Sequence, residues 1–243
     1  MKFILAGGVA AAALLGVAYA DDYSGYLGLS RTHFDADDLG FHGDETSVSG
    51  VGAFDLRGHF QTQVDAEYSD FDKGDATYNG TINVVRRWNG WMAGAFVGGS
   101  RTDDETATLA GLEGAAYFHR FTLAGVVAYA DSDDFDGDGA VYQMQGRFFV
   151  DRNFRIDGTA SFSKFNTPLG NFDATELSLD GEYKFSNSAL SIFGGYTNLD
   201  TDIDNVNADV FRLGFRVNTN EDLAYRDEHG ASLVRVGDFS DLF

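Results

Sequence analysis

Between Phe60 and Phe215 apolar and polar residues alternate in runs of about ten, each closed by a tight turn or by an acidic loop. The run from His59 to Ser69 shows the rule. Phe60, Thr62, Val64, Ala66 and Tyr68 fall on one face, and His59, Gln61, Gln63, Asp65, Glu67 and Ser69 on the other. Side chains alternate across a strand, so such a run has one apolar face and one wet, charged face. Aromatics open and close the apolar face, at Phe60 and Tyr68, a separation that matches the two edges of a bilayer. Carried along the chain, this reading predicts twelve strands, at 23–34, 46–57, 59–70, 77–88, 91–100, 106–118, 121–131, 139–150, 153–165, 173–185, 189–198 and 207–218.

The connections alternate in kind. Arg57-Gly58-His59, Trp88-Asn89-Gly90, His119-Arg120, Asp151-Arg152-Asn153 and Phe185-Ser186-Asn187-Ser188 are short. Asp35 to Glu45, Phe71 to Asp75, Arg101 to Glu105, Asp131 to Gly139, Asn166 to Asn171 and Leu199 to Val206 are longer and acidic. Consecutive antiparallel strands put successive connections at opposite ends of a sheet, so the acidic loops share one end. The stretch Asp70 to Tyr78 also resembles Asp134 to Tyr142, an echo that duplicated hairpins or shared turn chemistry would each produce.

Parity sorts the remaining residues. Leu56, Ile82, Val84, Val97, Leu123, Met144, Leu177, Leu179, Leu213 and Val217 take the lipid side, with Phe60, Trp88, Trp91, Phe118, Phe121, Phe148, Phe154, Phe185 and Phe215 as one aromatic girdle. Tyr68, Tyr129, Tyr142, Phe162 and Tyr196 form the other, at the acidic end. The opposite parity carries Asp55, Arg57, Asp65, Glu67, Arg87, Glu113, Arg147, Arg155, Asp157, Glu176, Asp180, Glu182, Lys184, Arg212 and Arg216. Charges confined to one parity must face water or one another. Arg86 and Lys164 have lipid-side parity but sit near strand ends, where long side chains reach the interface. The fold class is therefore all-β: a transmembrane antiparallel up-and-down β-barrel of about 12 strands.

Residues 1–20 read Met1-Lys2, a short apolar run, then Ala18-Tyr19-Ala20 before Asp21-Asp22, the pattern of a cleavable N-terminal signal peptide. This divides the chain into a signal at 1–20, a barrel over 21–220 and a C-terminal tail or closing segment over 221–243. Beyond the signal every apolar run is broken too soon to span a bilayer as a helix, so membrane passage must use strands. Thirty glycines against one proline, with 22 phenylalanines and 11 tyrosines, suit sheet and tight turns. Cysteine is absent, which removes disulfide and thiolate chemistry. The formal charge of −21 excludes nucleic acid as a partner, since phosphate would be repelled.

With this signal, these girdles and this parity, residues 23–218 resemble the Gram-negative outer-membrane β-barrel proteins, and among them small porin-like proteins. The resemblance implies residence in the bacterial outer membrane, acidic loops outside, short turns in the periplasm, contact with lipopolysaccharide, and insertion by the barrel-assembly machinery. Many members end on an aromatic, as Phe243 does. Two readings of the tail follow: 208–217 closes the barrel and the tail is periplasmic, which the even strand count favours, or Ser232 to Phe243 is itself the closing segment.

The function expected is passive diffusion of ions and small hydrophilic solutes through a charged lumen, in a monomer or weak oligomer. Its lining would comprise Asp65, Glu67, Arg87, Glu113, Arg147, Arg155, Asp157, Glu176, Asp180, Glu182, Arg212 and Arg216, with acid and base rows opposed. The alternative is a non-conducting structural or surface-interaction barrel with acidic, ion-binding extracellular loops. No cofactor is implied, beyond loop-bound divalent cations: Asp134, Asp136 and Asp138 have the spacing that opens a calcium loop, although position twelve would be Gln145 and no helices flank it. Asp200, Asp202 and Asp204 repeat the spacing. An enzyme is not expected. None of His33, His42, His59, His119 and His229 has a serine two residues on, and nothing singles out His33 or His42 with Asp35, Asp37 and Asp38 as an acid–base pair.

Overall fold

The computed structural model describes residues 23–36, 41–56, 59–72, 74–102, 105–132, 137–168, 170–202, 207–219, 222–230 and 232–235. The signal at 1–20 and Phe243 lie outside them. Twelve strands follow in order: β1 (Tyr23–Ala36), β2 (Phe41–Leu56), β3 (Phe60–Phe71), β4 (Thr77–Trp88), β5 (Trp91–Thr102), β6 (Glu105–Phe118), β7 (Phe121–Ser132), β8 (Gly137–Asp151), β9 (Phe154–Thr167), β10 (Gly170–Lys184), β11 (Leu190–Thr201) and β12 (Asn207–Asn218). Each pairs antiparallel with the next, and β12 closes on β1 from Tyr26↔Asn218 to Asp35↔Asp209. A closed ladder leaves no edge to be satisfied in hydrocarbon. A helix, α1 (Leu223–His229), comes last.

Every predicted strand exists, but several run further at the acidic end: β2 starts at Phe41 and β10 at Gly170. The acidic loops are correspondingly shorter than their composition implies. Beyond the membrane, charge is no bar to pairing, and cross-strand partners hold these extensions: Arg31 to Asp44 at 2.8 Å, Lys164 to Asp173 at 3.3 Å and Tyr196 to Asp209 at 2.6 Å.

The outer face is the apolar parity. Leu112, Leu179 and Met144 are more than half exposed although large and apolar, which suits a surface that hydrocarbon covers. Aromatics pair at both rims. Trp88 stacks on Trp91 at 4.0 Å across a turn where Gly90 has φ +83°, a conformation glycine adopts without strain. At the far rim Tyr68 meets Tyr78 at 5.2 Å and Tyr196 meets Phe211 at 5.0 Å. Arg86 lies over the Phe60 and Trp88 rings and Lys164 over Phe162, cations at interface depth as their positions imply.

The inner face is less uniformly polar than its charges suggest. Phe96, Leu109, Val126, Ala128, Ala130, Val141, Phe165 and Ala174 form a buried apolar cluster inside the barrel. Three inward rings each sit across from a glycine on the paired strand: Phe96↔Gly111, Phe165↔Gly139 and Phe193↔Gly214. A methyl group on any of these glycines would run into the facing ring. The glycine gives a ring room to lie flat against the wall. Outward glycines are different, and Gly158 has nothing within 4 Å of where a Cβ would be. Gly214→Ala should therefore cost about 1–3 kcal/mol by overpacking. Gly158→Ala should be neutral or stabilise by about 0.4–1 kcal/mol through the unfolded chain. Urea unfolding in lipid vesicles tests the pair, and equal effects would contradict this division of inside from outside.

Candidate functional site

Alternation within the closed barrel turns one set of side chains inward, and that set holds the charges. Glu113, Arg147, Arg155, Asp157, Glu176, Asp180, Glu182, Arg212 and Arg216 line one internal cavity, and Glu67 lines a second with Asp180 and Arg212. Asp65 shares inner parity with Gln63 and is buried. Arg87 reaches α1 from the wall. All twelve residues proposed from parity thus sit on the inner face.

Their arrangement differs from opposed rows of acid and base. The charges pair with neighbours: Arg155 with Asp157 at 2.8 Å, Arg212 with Asp180 at 3.0 Å, and Arg216 with Glu182 at 2.6 Å. Arg155 and Asp157 share β9, and Arg212 and Arg216 reach from β12 across β11 to Asp180 and Glu182 on β10, so short-range pairing outweighs any field set across the barrel. Glu182 is the hub. It also accepts from Ser191 at 2.8 Å and from Arg226 at 2.6 Å, and Arg155 lies 3.6 Å away. Aromatic faces support the cluster: the Arg216 guanidinium lies 4.0 Å from the Phe193 ring centre and 4.7 Å from that of Tyr26.

Arg226 belongs to the tail, and the tail is inside the barrel. The expectation of a periplasmic tail is corrected here: residues 222–230 and 232–235 are bonded to the inner wall, rising from the short-turn end. They do not close the sheet, because β12 already does so against β1. Residues 236–243 lie outside the described residues. Asp222 caps α1 by accepting from the Tyr225 backbone N–H at 2.7 Å, and its carboxylate lies 3.3 Å from Arg152 at the rim. The helix ends at Gly230, whose N–H donates to the Arg226 carbonyl. Leu223, Arg226 and Asp227 are buried against the wall.

The wall receives the tail through side chains. Thr122 donates to Asp227 at 2.6 Å, and Arg147 forms an ion pair with the same carboxylate, which is fully buried. The Gln63 amide takes the place of a strand partner, donating to the Leu233 carbonyl at 3.2 Å and accepting from its N–H at 3.0 Å. Asn83 donates to the Val234 carbonyl, and Glu113 accepts from the Val234 N–H. Arg87 donates to the carbonyls of Glu228 and Gly230, and Gln61 to that of His229. Higher up, Arg235 lies 3.7 Å from Glu67, and Val234 joins the inner apolar cluster. Around the tail, cavities of ≈ 150 Å³ and ≈ 50 Å³ remain, polar-walled and large enough for water.

Other candidate residues fall elsewhere. Asp134, Asp136 and Asp204 lie outside the described residues, as do Asp37 and Asp38. Among the described residues no group of three or more His, Cys, Asp or Glu is placed to hold a metal ion. His33 pairs with Asp44 at 2.8 Å and His42 with Asp35 at 2.9 Å, exposed cross-strand pairs.

Among solved structures the barrel is similar to the NanC porin, at TM-score 0.64 and 11% identity over 78% of this chain and 98% of that one. The KdgM porin gives 0.57 at 10% identity over 79% and 99%. An outer membrane channel from Pseudomonas putida F1 gives 0.56 at 11% identity over 84% and 98%. The fold is that of the porins. No protein-family model matches the sequence, and no curated protein sequence matches it.

Proposed function

We propose that the chain is an outer-membrane channel of the porin type, passing ions and small hydrophilic solutes by diffusion, with no catalytic step and no cofactor. One observation carries the reading: the ionisable side chains of the barrel wall between the girdles face inward, where a closed structural barrel would be served as well by apolar packing. Buried ion pairs are a poor way to stabilise a fold, since apolar replacements are often as stable or more so. A wall that must be wet when solutes pass needs such groups. The similarity to the KdgM and NanC porins supports the same reading. The acidic outer ends of the hairpins would face the lipopolysaccharide side.

Arg212 lines both internal cavities and is partly exposed. The purified full chain in planar bilayers should give discrete conductance steps. Arg212→Glu, which reverses a charge beside Asp180, should raise cation over anion permeability roughly several-fold, read from the reversal potential in a salt gradient. Silence from the inserted wild type and from variants that loosen the tail would favour the non-conducting reading, in which the barrel is a scaffold for its acidic ends.

A further inference from the structure

Resting on the channel reading above, we propose that the tail segments 222–230 and 232–235 act as a removable gate, a peptide of the chain's own that blocks passage while seated in the lumen and opens it on withdrawing through the short-turn end. The manner of its attachment carries the argument. The strands of the barrel are fixed to one another by backbone ladders. Within the lumen the tail is instead held through the wall side chains of Gln61, Gln63, Asn83, Arg87, Glu113 and Arg147. Because β12 pairs with both β11 and β1 without the tail, withdrawal breaks no strand pair.

The seat is also reversible in its chemistry. Apart from the apolar contacts of Leu233 with Val85, Met92 and Ala115 and of Val234 with the inner cluster, its wall presents amides, arginines and carboxylates, groups that water solvates once the tail has gone. Charges of tail and wall are complementary at three places. Tail Arg226 meets wall Glu182, tail Arg235 meets wall Glu67, and tail Asp227 meets wall Arg147. Such pairing gives the peptide one register in the lumen, while leaving each wall group able to pair with a strand neighbour or with ions in transit: Glu182 with Arg216, and Arg147 with Gln145. α1 starts at the rim, where the Leu223 N–H donates to the Arg152 carbonyl, and β12 ends at Asn218, so the segment stays tethered to the barrel as it swings out.

The absence of cysteine from the chain makes a direct test possible. Thr122 on β7 and Asp227 on α1 have touching side chains, so a Thr122→Cys, Asp227→Cys full-length variant can be bridged by a short bis-methanethiosulfonate and released by reductant. Heat-dependent gel mobility verifies that the barrel has folded. Unbridged, this variant lacks the carboxylate that holds Arg147 and should be open more of the time than wild type. Bridged, its conductance should fall at least tenfold, and reductant should restore it. A second full-length variant, Arg226→Glu with Arg235→Glu, sets carboxylate against carboxylate and should raise the open fraction several-fold. Failure of the two cysteines to bridge, or equal conductance with and without the bridge, overturns the gate and leaves the channel reading standing. Silence from wild type and from both loosened variants removes the channel reading and the gate with it.

Discussion

Glu182→Gln should be the most damaging single change in the lumen, costing about 3–5 kcal/mol with the tail docked, because it leaves buried cations without their anion. The Glu182 side chain is 2% exposed and Arg226 is 3% exposed; both are out of reach of bulk water. Arg216, Arg226 and Arg155 converge on this one carboxylate, at 2.6, 2.6 and 3.6 Å. Arg155 keeps Asp157 at 2.8 Å, and Arg226 keeps the Asn218 side chain, but Arg216 is left with only the faces of Phe193 and Tyr26. Glutamine matches glutamate in shape and retains one carbonyl acceptor, so the loss isolates charge from packing.

Part of that cost can be avoided by expelling the tail, since Arg226 is the one member of the cluster not built into a strand. Urea unfolding of the barrel should then register less than the full penalty, with the remainder appearing as tail release. Trypsin added at the short-turn side reads that release by cutting after Arg226 and Arg235. Wild type should resist, and Glu182→Gln should be cut at least tenfold faster while the barrel stays intact. An unchanged unfolding midpoint together with unchanged cleavage would mean that the hub contributes nothing.

The strands were legible because a membrane barrel imposes the same two-residue period from both sides: lipid selects one parity and water the other. Asp65, Glu67 and Asp180 could be placed inward without knowing a single contact, because a charge on the other parity would sit in hydrocarbon. The same logic fails for inward apolar residues. Phe96, Phe165 and Phe193 break no rule of the lipid face, and their fit depends on Gly111, Gly139 and Gly214 across the strand pair. That relation becomes visible only once the register is known.

The tail was illegible for a different reason. α1 turns Leu223, Arg226 and Asp227 toward the wall, and two of these three are charged, so no apolar stripe marks its buried face. Its cap, Asp222, and its stop, Gly230, are the local signals that could have revealed a helix, yet neither says where a helix goes. What locates it is charge complementarity with wall side chains distant in sequence, from Glu182 beside Arg226 to Glu67 beside Arg235. A period-based reading has no term for such pairing. The wall amides carried no more of a signal: on inner parity Gln61, Gln63 and Asn83 read as generic polar lining, though they bind the tail backbone.

On the opposite face, Leu179→Arg should destabilise the inserted barrel by about 2 kcal/mol, the low end of the cost of a cation in the hydrocarbon band. Leu179 is 61% exposed, with Gly158 beside it on β9 and Tyr196 on β11, and β10 reaches its aromatic rim only at Tyr183. An arginine there would stand in the apolar band, and the carboxylate in its direction, Asp209 beyond the Tyr196 hydroxyl, lies at the rim. Leu179→Phe offers the contrast, since it keeps an apolar group of similar reach on a surface with no facing partner to clash, and it should change stability by less than about 1 kcal/mol. Reversible urea unfolding from lipid vesicles measures both. The same leucine in a water-exposed site would tolerate arginine at almost no cost, so a shift of less than about 0.5 kcal/mol for Leu179→Arg would place this face in water and remove the membrane from the account of the fold. A full-sized shift would fix the outer parity as lipid-facing. It would also require the twelve charged positions of the other parity to find their partners where the structure puts them, among themselves and along the tail.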